Sequence, residues 1–512
     1  MSWEHSEAGH AIPGRVSRLV TRPELRTPSP EGCADRYHGP AVGLTGIAAF
    51  FAEAGDPQRM QAVIDQYLRA PGGPPVEVVA CQAEFTRRGG SRNLVQYQLT
   101  LRDPAEGREW TQLVSGVAYG GHRTQHAWKL LQRLPQHEPV HGAVLSRAGY
   151  APELDMLLQV FPFDHRLPVL EPLMTGPLPG LLPPLLEQFG PGNWLLERWD
   201  AESMRYRVDL RASVRLTVQA REVRTGEVAE RRFFAKIYSG AEQAERAWGV
   251  QRVVAAALDR GHAAFAIAPT VAYLPDDRVL VQGEVQGTSL SHKLRHAEAV
   301  PAVRRVAQAV AALHCLDVIP PAHRVELGRT DPQRLHRTAE WLRASHPDLA
   351  AAVTAVESGI LCGLAAIGEL SSVPVHGDLK AAHMVLDADR VVLLDLDKFA
   401  AGDPMLDVTH LLFNFGRAGK VETQAFAEEY FGHVPAAWKP RLAPYYAWAL
   451  LTEASRVCKT VESPRDASRS RRAGRNVAKR REESGSRRAK QEKRSAFLLE
   501  EANAVLAGRQ PW

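Results

Sequence analysis

VPVHGDLKAAHMVLDADRVVLLDLDKFAAGDPMLDVTHLL, residues Val373 to Leu412, is the stretch that decides the fold of this chain. Two apolar runs, HMVLD and RVVLLD, meet at a hairpin-like turn over Asp387 to Arg390. Short runs rich in Val and Leu and bounded by Asp and Gly read as strands. The turn between them folds Asp378, Lys380 and His383 back towards Asp395 and Asp397, so that acidic and basic groups gather in one place. Phosphoryl transfer needs such a gathering: a carboxylate near the attacking hydroxyl, ligands for a divalent cation, and a positive charge on the phosphates.

HisGlyAsp at 376 to 378, Asp395 closing an apolar strand, GlyAspPro at 402 to 404 and Asp407 follow one another in a characteristic order. In that order and spacing the chain resembles the aminoglycoside phosphotransferase and choline kinase family over about residues 190 to 450. The resemblance implies an α+β, protein-kinase-like two-lobed fold, with an antiparallel-sheet small lobe and a mainly helical large lobe. It implies ATP or another nucleoside triphosphate as donor and Mg²⁺ or Mn²⁺ as the cation. Asp378 is then the catalytic carboxylate and Asp395 the metal ligand. Asp397 lies two residues on and is expected on the same strand face, as an auxiliary ligand. Lys380 resembles the loop lysine of protein kinases and is expected on the transferred phosphate. Asp403 and Asp407 read as structural, one capping a turn and the other near a helix start.

The sequence departs from the family at His383, which stands where a magnesium-binding Asn is usual. A neutral imidazole is a poorer partner for hard Mg²⁺ than an amide oxygen. Three roles are open to it: metal ligand, hydrogen-bond partner of a metal-bound water, or orienter of Asp378.

Upstream, Lys236 in RFFAKIY is one of only two lysines before residue 290. It resembles the kinase strand lysine that binds nucleotide phosphates and pairs with a glutamate of the next helix, for which Glu245 is the first choice and Glu242 the reserve. The segment VLVQGEVQGTSL then reads as a connection between lobes, where backbone groups around Gln282, Glu284 and Val285 meet the adenine edge and Gly287 permits the turn. The loop between WLLERWD and VDLRASVRL contains no glycine, so phosphate cradling by close backbone approach is not supported there.

Working outward, residues 1–40 read as a mobile arm and 41–180 as an extra N-terminal α+β module with a Pro/Leu-rich connection. The small lobe is expected at 181–286, with strand order β-β-β-α-β-β, and the helical catalytic lobe at 287–455. Residues 456–512 complete the chain as a basic insertion and a terminal helix. In the module, two alternating strands and the helix HRTQHAWKLLQRL are expected before residue 135. Val95, Leu99, Arg102, Gly107 and Tyr119 match Val214, Val218, Arg221, Gly226 and Tyr238 at one constant offset. Either the two stretches share ancestry or both are hairpins with the usual turn glycine. Shared ancestry would put Val117 in the place of Lys236 and make the first copy a structural cap.

Composition sets outer limits. The chain of 512 residues is 45% hydrophobic and 24% charged, ordinary for a globular protein. Net charge is +5, yet Arg456 to Arg494 holds 15 Lys and Arg against 5 Asp and Glu. That stretch has no interleaved aromatics and reads as a solvated, partly helical insertion, so no nucleic-acid partner is expected. Five scattered cysteines without CxxC spacing argue against disulfides and structural zinc. No apolar run of membrane-spanning length and no signal-peptide pattern is read, and the expected location is cytoplasmic. The function expected is an ATP-dependent phosphotransferase acting on a hydroxyl of a metabolite such as a sugar or nucleoside. The alternative is a pseudokinase serving as a nucleotide-binding scaffold, motivated by His383 and the glycine-free loop.

Overall fold

The computed structural model describes residues 44–510 apart from gaps at 71–72, 74, 88–91, 121, 134–144, 262–263, 296–298, 319, 321–331, 369, 371, 388–389, 416–418 and 460–476. The expected N-terminal arm and much of the basic stretch lie outside the described residues. The chain forms two units, Met1–Ala49 and Phe50–Trp512. Of the first, only the opening of helix α1 (Leu44–Ala54) is described.

The second unit begins with α2 (Pro57–Leu68). The Asp56 carboxylate accepts a hydrogen bond from the Arg59 amide at 2.9 Å, and Pro57 takes the first helical position, where its missing N–H is not needed. Its apolar face, Met60, Val63, Ile64 and Leu68, is buried. Next come β1 (Glu77–Arg87), β2 (Asn93–Arg102), β3 (Glu109–Ala118), α3 (Arg123–Leu131), β4 (Ala148–Ala151) and β5 (Met156–Val160), in an antiparallel sheet of order β1-β2-β3-β5-β4. The two strands expected before residue 135 are thus three. A further hairpin, β4–β5, follows; its strand MLLQV is buried at nearly every position and so shows no alternation.

Two short helices, α4 (Leu170–Thr175) and α5 (Leu182–Glu187), lead to β6 (Trp194–Arg207), β7 (Arg211–Glu222), β8 (Val228–Tyr238) and α6 (Ala241–Asp259). Then come β9 (Phe265–Ile267), β10 (Thr270–Leu274) and β11 (Val279–Gly283). This sheet has the order β6-β7-β8-β11-β10, the same path as the first. The registers agree as well. Val95 faces Gly116 and Leu99 faces Gln112 in the first sheet; Val214 faces Ala235 and Val218 faces Arg231 in the second. Both turns end on a left-handed glycine, Gly107 at φ 67° and Gly226 at φ 73°. Tyr150 faces Leu157 in the β4–β5 hairpin as Tyr273 faces Leu280 in β10–β11. Each of those hairpins also turns through a left-handed residue, Asp155 or Arg278. Two unrelated hairpins would not share path, register and turn geometry together, so the N-terminal module repeats the architecture of the small lobe.

The helical lobe starts after β12 (Thr288–Ser289) and α7 (Leu290–Lys293), with α8 (Ala299–His314), α9 (Pro332–Ser345) and α10 (Ala350–Ile367). The decisive stretch forms β13 (Val373–Val375), β14 (Met384–Asp387), β15 (Arg390–Leu393) and β16 (Ala400–Gly402). Helices α11 (Met405–Phe415), α12 (Lys420–His433), α13 (Leu442–Lys459) and α14 (Val477–Leu506) close it. One core gathers Val303, Val306 and Val310 of α8 with Met384, Leu393, Leu411 and Phe426. The segment Pro347–Ile367 is long and apolar enough to cross a membrane by length and composition. Its Val353, Val356 and Ile360 pack with Leu450, Leu451 and Leu499, which makes it a wall of the helical lobe. Strand β9 leaves the small-lobe sheet and pairs in parallel with β15, tying the two lobes together beside the catalytic hairpin.

Candidate active site

A cavity of about 460 Å³ lies between β6–β8, β11 and the β14–β15 hairpin, within the range of small-molecule sites. Lys236, Gln282, Glu284, Val285, His383, Asp395 and Asp397 all line it. Alternation along β8 sends Ala235 and Ile237 into the core and leaves Lys236 facing the cavity.

The lysine does not pair with Glu245. Its Nζ donates to Asp395 Oδ1 and Asp397 Oδ1, both at 2.7 Å. The reason is helix phase: Ala244 and Ala247 are the buried face of α6, so Glu245 is turned to solvent, and Glu242 is exposed too. Burial would lower the pKa of Lys236, but the charges of Asp397 and Asp395 raise it, and the ammonium persists at neutral pH.

Asp397 reaches the site by a different route from the one expected. The strand ends at Leu393, Asp395 takes a left-handed conformation at φ 59°, and Leu396–Lys398 form a 3-10 turn. Residues three to a turn replace strand alternation. Asp397 then accepts from Lys236, from the Tyr238 hydroxyl at 3.1 Å and from Arg211 Nη1 at 2.9 Å.

Asp378 follows Gly377, whose φ of 77° and whose approach to the Lys398 carbonyl, 2.5 Å from an added Cβ, exclude a side chain. Gly377→Ala is therefore expected to destabilise the protein by more than about 1 kcal/mol, read by denaturant unfolding. The Asp378 carboxylate accepts from Lys380 Nζ at 2.9 Å and lies 3.6 Å from Lys398 Nζ. Burial works to raise its pKa, yet the Lys380 hydrogen bond and the charges of Lys398 and Lys380 hold it below the usual aspartate value. It is an ionised acceptor throughout the neutral range.

His383 accounts for its own orientation. Its Nδ1 lies 3.0 Å from the Asp378 carbonyl, which can only accept, so Nδ1 carries the proton. Its Nε2 lone pair then faces Asp395 Oδ2 at 3.6 Å. Burial keeps the imidazole pKa below its ordinary value against the pull of Asp395, and the ring is neutral at pH 7. Two acceptors facing each other fit a cation between them. The ligand atoms of Asp378, His383 and Asp395 lie within 4.8 Å of one another, suited to one. Burial would raise the pKa of Asp395, but Lys236, by charge and hydrogen bond, holds it far below the usual range.

The motif's remaining carboxylates hold the loop. Asp407 is fully buried and accepts the amides of His376 at 2.6 Å and Gly377 at 3.0 Å. Asp403 binds Arg441 at 2.6 Å and takes the Met405 amide at 2.9 Å. Beyond Val285, Gly287, at φ 121°, passes so close to the Leu386 carbonyl that an added Cβ would clash with it.

Residues 214–445, which contain β8, β11 and both catalytic loops, match the model of the phosphotransferase enzyme family. Over these residues the chain is similar to that family. It is a kinase-type phosphotransferase, with a hydroxyl as acceptor. No curated protein matches the chain. Among solved structures, a thermostable aminoglycoside phosphotransferase APH(4)-Ia in a ternary complex with ADP and hygromycin B is similar at 16% identity. That match covers 62% of this chain and 96% of that one, with a TM-score of 0.38. A choline/ethanolamine kinase family protein from Mesorhizobium loti is similar at 16% identity, covering 62% and 95%, with a TM-score of 0.35. The streptomycin–ATP–APH(2")-IIa complex is similar at 12%, covering 51% and 86%, with a TM-score of 0.33.

Within this segment and just before it, the cavity residues that no sequence motif marks include Met204, Arg205, Arg211 and Tyr238. Tyr238 was within reach of the sequence, since it lies two residues from Lys236 on the same strand face. Arg211 needed the β7–β8 register, in which it stands opposite Tyr238.

Proposed function

We propose that the chain is an ATP-dependent kinase that phosphorylates a hydroxyl of a small metabolite such as a sugar or nucleoside. The observation that carries this reading is that Lys236, Asp395 and His383 line one cavity with the segment Gln282 to Val285, while the carboxylate of an ionised Asp378 lies within 4.8 Å of the His383 and Asp395 ligand atoms. Asp378 orients the acceptor hydroxyl and takes its hydrogen bond. Lys236 and Arg211 supply positive charge for the phosphates, and Lys380 stands beside Asp378 for the group in transfer. Asp395 and His383 hold Mg²⁺ or Mn²⁺, which when bound neutralises charge on the phosphate oxygens. The basic C-terminal region gives no hint of the acidic wall that a polycationic acceptor would need, which favours a sugar, nucleoside or other metabolite. A cytoplasmic location would supply the ATP that this reading requires.

The test is a thermal-shift and product screen with ATP, GTP, Mg²⁺ and Mn²⁺ against hydroxylated metabolites. Absence of metal-dependent turnover across the panel, with Asp378→Asn indistinguishable from wild type, would sink the proposal. Tight nucleotide binding without transfer, unchanged in His383→Asn, would favour the scaffold reading instead. In the active protein His383→Asn is expected to lower the ratio of Mn²⁺- to Mg²⁺-supported turnover, because it exchanges a nitrogen ligand for an oxygen.

A further inference from the structure

The β6–β7 turn, where a kinase small lobe places its phosphate loop, does not end in solvent. Val208 and Asp209 at its tip are each 1% exposed. Val208 packs on Leu94 and Val117 of the N-terminal module. Asp209 accepts from Arg92 Nη1 at 2.8 Å, from the Tyr119 hydroxyl, and from Gln159 Nε2 at 3.4 Å. Arg92 Nη2 also holds the Val208 carbonyl at 3.2 Å. The Asp209 amide and the Tyr206 hydroxyl donate to Asp164 Oδ2 at 2.8 and 2.9 Å.

The gripping residues are the repeat counterparts of the active site. By the shared β2–β3 and β7–β8 register, Arg92 corresponds to Arg211, Val117 to Lys236 and Tyr119 to Tyr238. By the shared hairpin register, Gln159 corresponds to Gln282. In the small lobe, Arg211 and Tyr238 hold the carboxylate of Asp397. In the module, Arg92 and Tyr119 hold the carboxylate of Asp209. Valine replaces the lysine, and the hairpin tip fills the space a nucleotide would need. Asp164, His165 and Asp209 cluster closely enough for a metal, but the carboxylate oxygens already have protein donors.

We infer that the N-terminal module is a second small lobe whose cleft grips the β6–β7 turn and thereby holds Met204, Arg205 and Arg211 in place around the bound nucleotide. Asp209 is a positioning residue. This rests on the kinase reading for the identity of the bound molecule, but not for the grip itself. A glycine loop adapts to phosphates by its own freedom; this turn has no glycine and is fixed from outside.

Asp209→Asn keeps the shape and tolerates the left-handed backbone at φ 58°, while Arg92→Met removes the partner from the module side. Each is expected to speed amide hydrogen exchange at residues 203–211 and to raise the dissociation constant for ATP with Mg²⁺ about tenfold. Such a rise follows if the released turn holds its bound pose about a tenth of the time. The kcat at saturating ATP should move less than the KM. The double variant should be no worse than the worse single, since the two side chains act on each other. Unchanged exchange, exchange that rises while affinity stays at the wild-type value, or effects that add in the double variant would overturn the inference. Wild-type protein that binds no nucleotide would retire the kinase reading separately, and exchange at the turn would still decide the grip.

Discussion

Replacing Asp378 with Asn is expected to lower kcat about 10²- to 10⁴-fold while nucleotide affinity changes little. Asn matches Asp in shape, so what is lost is the negative charge and the second strong acceptor. That charge lies between Lys380 at 2.9 Å and Lys398 at 3.6 Å. On the proposed reading Asp378, whose proton affinity the Lys380 hydrogen bond and the Lys398 charge lower, works mainly by aligning the hydroxyl and stabilising positive charge as the O–H bond weakens. The loss should therefore fall on kcat, whereas the proposed nucleotide contacts, Lys236 and Gln282 to Val285, line the cavity and Asp378 is not among its lining residues. The measurement is steady-state kinetics on whichever acceptor the product screen identifies. A variant within threefold of wild type would remove Asp378 from the chemistry. The sign of the pH dependence follows from the same contacts. Because the folded pKa is depressed, the carboxylate stays ionised down to below about pH 4, and any acid limb of activity near neutrality belongs to another group.

The catalytic hairpin was legible because its chemistry is local in sequence. His376 to Asp407 carries most of the expected ligands, and two short strands are enough to bring them together. Lys236 stood out because lysine is rare in an arginine-rich chain. Glu245 is turned away from Lys236 by the rotational phase of α6, a phase that the apolar spacing of Ala244, Ala247 and Val250 carries. Nothing in LLDLDKF announces the left-handed turn at Asp395, so the sequence alone reads Asp397 as a strand residue. The repeat surfaced only in part. Its first hairpin keeps one offset from Val95 to Tyr119, but the second, Tyr150 against Tyr273, is shifted by a few residues relative to it. Fixed spacing therefore carries the likeness only as far as Tyr119. The grip on Asp209 was beyond sequence reading, since it joins strands about a hundred residues apart through side chains that look like surface residues.

Removing the Asp407 side chain, as in Asp407→Ala, is expected to destabilise the helical lobe by about 3–5 kcal/mol, because each buried donor left without a partner costs about 1–3 kcal/mol. The donors are the amides of His376 and Gly377, with His314 Nε2 at 3.3 Å behind them. His376 Nε2 in turn binds the Leu394 carbonyl at 2.8 Å, next to Asp395, so loosening this point releases the Asp378 loop and the Asp395 turn together. Burial would raise the Asp407 pKa, but the hydrogen bond and charge of His314, with His376 beyond, lower it below the ordinary aspartate value. A carboxylate depressed in the folded state stabilises fully above the unfolded value, about pH 4, and loses that contribution as pH falls through the lower folded value. Urea unfolding of wild type and Asp407→Ala should accordingly differ most at pH 7 and converge on acidification below about pH 4. A gap that is small at pH 7, or that widens in acid, would show that the loop is held by packing around Leu379 and Met384 and that the carboxylate is incidental to it.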